Sequence, residues 1–176
     1  MSVDYIEHAI KEKPALHRYS HKMAIYIYEA MKKITNEYDG DASKIWTNQS
    51  ADVIIDRFEK FKGISHKKAS LGTLLLIRDL DIHIPNKSAI DIAYDVHIRR
   101  IFLRLGLIDN DTMENVLLIA RHIEPDFPGN LTTFFWTIGR KYCYVTSPNC
   151  EECPLKKCCK YYKIQKFNKN KEEEKW

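Results

Sequence analysis

Apolar residues recur along most of this chain at the three- and four-residue spacing of an amphipathic helix, and no run shows a convincing two-residue alternation. The pattern predicts an all-α protein. In "SHKMAIYIYEAMKKITNEY", residues 20–38, Met23, Ile27, Ala30, Met31 and Ile34 fall on one stripe, and "YDGD" then supplies a glycine that ends a helix. Ser50 is placed to cap a second helix, "ADVIIDRFEKF", in which Ile54, Phe58 and Phe61 face one way before Gly63 breaks the pattern. Another helix restarts at His66 and runs to Leu80.

Beyond it, Pro85 and Asn86 interrupt a loop-rich connection, "RDLDIHIPNKSAIDIAY". A domain boundary is expected in this region, with residues 1–94 as one helical domain and 95–176 as a second. "DVHIRRIFLRLGLI" places Ile98, Ile101, Phe102 and Leu105 on one face and Arg99, Arg100 and Arg104 on others. Asp111 with Glu114 forms a capping box for "TMENVLLIARHI", and "EPDFPGN" breaks the chain before "LTTFFWTIGRKYC". The tail "NKNKEEEKW" is expected to fray in solvent.

Composition narrows the classes. With 176 residues, 44% of them hydrophobic, the chain can fill one sizeable core or two small ones. Lysine and arginine total 28 against 24 acidic residues, too small an excess for a protein that coats nucleic acid, though a local basic face is compatible with it. No apolar run approaches the roughly 20 residues that cross a bilayer. "MSVDYIEHAIKEKP" lacks a signal peptide's apolar core, so a cytoplasmic protein is expected, and the apolar content gives no reason to expect more than a monomer on its partner. In that reducing compartment five cysteines, all between 143 and 159, indicate metal ligation or redox chemistry more than disulfides, and the odd number leaves one with another role.

Two motifs carry chemistry. "FEKFKGISHKKAS" joins two amphipathic helices through a few residues, a helix-hairpin-helix pattern spanning about 54–80. Gly63 permits a tight turn, Ala69 lets the helices approach, and the second helix presents its N-terminal amides, which bind a phosphate without reading sequence. Lys67 and Lys68 lie in that first turn, where a cation opposes the helix dipole unless an anion is present. The second motif is C-x6-C-x2-C-x5-C, formed by Cys143, Cys150, Cys153 and Cys159 with Cys158 spare. Spacing alone leaves tetrahedral zinc open beside an iron–sulfur cluster.

The hairpin, the aspartate-led helix and the cysteine loop, in this order over residues 50–162, resemble the endonuclease III branch of the helix-hairpin-helix DNA glycosylases. The resemblance departs at Ser65, where the hairpin usually has glycine, and residues 1–49 contain no recognisable loop to fill the gap left by a flipped nucleotide. It implies an all-α glycosylase-like fold, somewhat shortened at its N-terminus, with a [4Fe-4S] cluster on Cys143, Cys150, Cys153 and Cys159. Zinc is the alternative cofactor. It places Lys67 at the family's nucleophilic lysine, there expected to be partly buried, and Asp95 at its catalytic aspartate, and it implies double-stranded DNA with a damaged or mismatched base or an abasic site as partner. Gly63, Ile64, Ser65 and Lys68 would contact DNA at the hairpin, and Lys156 and Lys157 at the cysteine loop. The implied activity is base excision with abasic-site lyase chemistry. A noncatalytic DNA-binding protein of the same fold, or a zinc or redox interaction protein, are the other readings.

Overall fold

In a computed structural model, which describes residues 2–173, eight α-helices and three short 3-10 turns account for the regular structure, with no strand among the described residues. The chain divides into two compact units, Met1–Asn86 and Lys87–Trp176. Residues 87–94, assigned above to the first domain, pack in the second. There the Gly129 amide donates to the Ile90 carbonyl, the Ala93 amide donates to the Thr132 hydroxyl, and buried Asp91 accepts two 2.8 Å bonds from the Arg121 guanidinium. No helix among the described residues is long and apolar enough to cross a membrane.

The first unit contains α1 (Val3–Lys11), α2 (Ser20–Glu37), α3 (Ala51–Glu59) and α4 (His66–Arg78). The sequence pattern predicts α2, α3 and α4 within two residues at each end. It does not predict α1, although Ser2 accepts from the Tyr5 amide as its N-cap and Ile6 and Ile10, one turn apart, are buried. These two isoleucines pack on Ala24 of α2, so the buried face of α2 is not the stripe expected from its larger apolar residues. Ile27 and Met31 are exposed instead, because a small residue, Ala24, lets α1 approach.

The second unit holds α5 (Val96–Leu105), α6 (Met113–Ile123), α7 (Leu131–Lys141) and α8 (Lys160–Glu173). Its core joins Ile98, Ile101 and Phe102 of α5 to Val116 and Ala120 of α6 and Phe135 and Ile138 of α7. Burial of each large side chain contributes about 1.5–3 kcal/mol. The Phe102 and Phe135 rings meet edge to face with centroids 5.0 Å apart. Gly106, at φ 77, ends α5 in the left-handed region that glycine enters without strain.

Two local expectations are corrected. Thr112, not Asp111, caps α6, accepting from the Asn115 amide, while Asp111 pairs with Arg99 and accepts from the Tyr94 hydroxyl. The stretch expected to fray from Asn168 continues α8 to Glu173; residues 174–176 lie outside the described residues.

Phe102 is wholly buried and its neighbour Leu103 is 37% exposed. Phe102→Ala is expected to lower stability by about 3–5 kcal/mol, and Leu103→Ala by far less, as measured by urea denaturation. Equal losses would show that this core is not where the structure puts it.

Candidate functional site

The hairpin is built by α3, a turn at 60–65 and α4. Phe61, buried at the turn, donates its amide to the Phe58 carbonyl, and the Ile64 amide donates to the Phe61 carbonyl. Gly63 has φ +85, and a Cβ there would strike the ring of Tyr26, which reaches over from α2. Ser65, by contrast, has φ −98 and ψ 168, ordinary extended backbone. The serine standing where the family pattern has glycine therefore costs the turn nothing. Ser65 is the N-cap residue of α4, but its hydroxyl makes no cap bond.

Lys67 lies in the first turn of α4 and is exposed, so the partial burial expected of it is absent. Lys68 folds back, its Nζ donating to the Gly63 carbonyl at 2.7 Å, and so braces the turn. Asp95 belongs to the other unit. It caps α5, its Oδ1 accepting from the His97 and Ile98 amides at 2.9 Å each, which fixes the carboxylate at a helix N-terminus. The His97 ring packs beside Gly139 of α7, and its Nδ1 lies 3.0 Å from the Arg100 guanidinium.

Cys143, Cys150, Cys153 and Cys159 line one pocket, closed further by Tyr142, Tyr161 and Tyr162. Cys158 is exposed outside it, its thiol donating to the Leu155 carbonyl. Burial pushes the Cys150 and Cys153 thiols up, and the neighbouring thiols push the same way. Such a group of thiols favours a cation that lets them ionise together. As the thiols stand, no group of three or more His, Cys, Asp or Glu side chains among the described residues is arranged to hold a metal ion. Four cysteine sulfurs lining one pocket are the donor type of a tetrahedral zinc and of an iron–sulfur cluster alike.

The loop is fastened to α5 by two arginines one turn apart. Arg100 donates to the Cys143 carbonyl at 2.8 Å. Arg104 donates to the Cys143 sulfur at 3.2 Å and to the carbonyls of Tyr144 and Val145 at 2.6 and 2.9 Å. Sequence periodicity places both arginines off the apolar face but does not disclose this task; their i, i+4 spacing is the available signal. The tyrosine walls from α8 are missed for the same reason, since α8 has little amphipathic pattern. Of the two lysines expected at DNA, Lys157 is exposed, whereas Lys156 turns inward, donating to the Glu151 carbonyl at 2.6 Å.

An all-helical chain with this hairpin has the helix-hairpin-helix glycosylase fold. The solved structure of a trapped endonuclease III–DNA covalent intermediate, an estranged-adenine complex, superposes with a TM-score of 0.62 at 20% identity, covering 94% of this chain and 68% of that one. No family model matches the chain. In sequence the chain is similar to endonuclease III over part of its length. It is 34% identical over 73 residues to endonuclease III of Thermotoga maritima, covering 41% of this chain, and 34% identical over 73 residues to that of Rickettsia conorii, covering 40%. DEMETER-like protein 3 of Arabidopsis thaliana is 22% identical over 144 residues, 70% of this chain and 13% of its own length. The matched stretch spans 34% of each endonuclease III.

Gly63→Ala is expected to destabilise the first unit by about 1–3 kcal/mol through its left-handed backbone, with a further cost from the Tyr26 ring. In the Tyr26→Ala background that further cost should vanish, a non-additivity readable by thermal denaturation of the four variants. Strict additivity would mean that the ring does not lie over the turn.

Proposed function

We propose that this protein is a DNA base-excision repair enzyme, a glycosylase with abasic-site lyase activity, carrying a [4Fe-4S] cluster on Cys143, Cys150, Cys153 and Cys159. The observation that carries this reading is the hairpin: a turn that demands glycine at 63 leads directly into a helix bearing Lys67, in a fold shared with an endonuclease III trapped on DNA as a covalent intermediate. The hairpin turn and the first amides of α4 hold a backbone phosphate of double-stranded DNA. Phosphate contact of this kind positions the duplex but does not choose the base.

In the proposed reaction the Lys67 Nζ attacks the sugar C1′ while the C1′–N bond to the extruded base breaks and the base leaves with the bonding pair. An ammonium has no lone pair to give, so a proton must leave the amine first. In this reading the Asp95 carboxylate, fixed through Oδ1, offsets positive charge developing on the sugar and serves as a proton acceptor in the reaction. The nitrogen on C1′ then forms the C=N bond as the C1′–O4′ bond breaks and O4′ takes up a proton, opening the sugar; this Schiff base acidifies the C2′ hydrogen, whose loss expels the 3′ phosphate and cuts the strand. When bound, the cluster ties four points of the cysteine loop into one rigid body and supplies no step of base removal. Lys157 then stands exposed on that loop to meet a phosphate.

Borohydride added to the protein on abasic-site DNA is expected to trap a covalent adduct, absent in Lys67→Ala. If no adduct forms while salt-sensitive DNA binding persists, the protein is a binding module and the lyase assignment fails.

Iron analysis and visible absorbance check the cofactor independently. Cys143→Ser, Cys150→Ser, Cys153→Ser and Cys159→Ser should each lower bound iron sharply, and Cys158→Ser should leave it unchanged. A chain that purifies with one zinc and no iron overturns the cluster.

A further inference from the structure

The hairpin does not stand alone in its unit. Its turn is pressed against α2, where the Tyr26 ring covers Gly63 and the Lys33 Nζ lies 5.8 Å from the centre of the Phe61 ring. Between α2 and the segment that enters the turn runs a groove of about 330 Å³ with lysines on both walls, Lys32 and Lys33 from α2 and Lys60 and Lys62 from the end of α3 and the turn. Two carboxylates, Glu29 and Glu37, also line it.

The four lysines are not equivalent. Lys33 is bonded to Glu37 at 2.7 Å and Lys60 to Asp56 at 2.6 Å, so each has a carboxylate partner. Among the described residues no carboxylate is bonded to Lys32 or Lys62, one from each wall; Lys32 rests over the Tyr28 ring at 5.7 Å. Both are exposed. Lysine heads that face a common groove from two elements repel each other unless an anion lies between them, and a compact tetrahedral oxyanion suits point-charge donors of this kind.

Its position suggests which anion. Lys62 immediately precedes Gly63, so the groove opens beside the turn that receives a backbone phosphate in the reading above. Successive phosphates on one strand follow at about 3.4 Å of helix axis. A strand held at the hairpin therefore offers further phosphates to whatever cationic site adjoins it. We infer that the groove between α2 and the α3 end of the hairpin is a second backbone-phosphate site, in which Lys32 and Lys62 hold a nucleic-acid phosphate beside the one at the turn. This inference rests on the DNA-binding reading, and it gives α2 a role in the interface that the hairpin motif alone does not supply.

The test is the salt dependence of binding to a duplex carrying an abasic-site analogue, measured between about 50 and 200 mM salt. For Lys32→Gln/Lys62→Gln the slope of log affinity against log salt should become shallower by about 1. Lys32→Arg/Lys62→Arg should keep the full slope. Lys44→Gln, which removes an exposed lysine paired with Asp39 elsewhere in this unit, should also keep it. Wild-type slope in the Gln double variant, in a protein that still binds DNA, overturns the groove site and leaves the hairpin reading intact. A wild-type protein without salt-sensitive binding overturns both, and circular dichroism on each variant separates lost contacts from lost folding.

Discussion

Guanidinium groups on one helix hold the cysteine loop in place, and the second unit depends on them. The chain from Cys143 to Cys159 contains no helix or strand, so its carbonyls cannot be satisfied by a regular ladder. Arg100 and Arg104 supply the missing donors at the carbonyls of Cys143, Tyr144 and Val145, as charge-assisted bonds stronger than neutral ones. Arg104 also lies over the Tyr161 ring at 4.7 Å, binding the chain that leaves the loop as well as the chain that enters it. The helix that does this is itself fixed at both ends, by Asp95 at its N-terminus and Gly106 at its C-terminus. One rigid rod thus carries a capped carboxylate at one end and the mouth of the thiol pocket at the other, and neither can shift along its axis without the other.

How much of this is legible in the chain depends on the range of the interaction involved. Helices with large apolar residues at helical spacing, α3 and α5 above all, are written locally, and Ile54, Ile98, Ile101 and Phe102 are buried as their spacing requires. The buried face of α2 is not legible in that way, because it is chosen by a partner helix docking at Ala24, and the largest apolar residues then lose to the closest approach. The separation of Cys158 from the other four thiols follows from the spacing and is matched by its exposure. The tasks of Tyr26, Arg100 and Arg104 are contacts across 37 to 43 residues of chain with ordinary side chains, and no local pattern announces them.

The boundary between the units illustrates the same point. Pro85 and Asn86 interrupt the chain, yet residues 87–94 are assigned by their partners and not by the interruption: Asp91 is buried by Arg121, and Ile90 is backed by Gly129, where no Cβ fits. A carboxylate that is nearly inaccessible needs a bonded cation, and Arg121 offers one from 30 residues further along the chain.

The turn at 62–65 asks for glycine once. Because Ser65 sits in extended backbone, that position is open to most side chains, while Gly63 is held by both its left-handed φ and the ring above it. The turn therefore tolerates a side chain at 65 and resists one at 63 twice over, and its one demanding position is tied to a ring on another helix and not to the other end of its own turn.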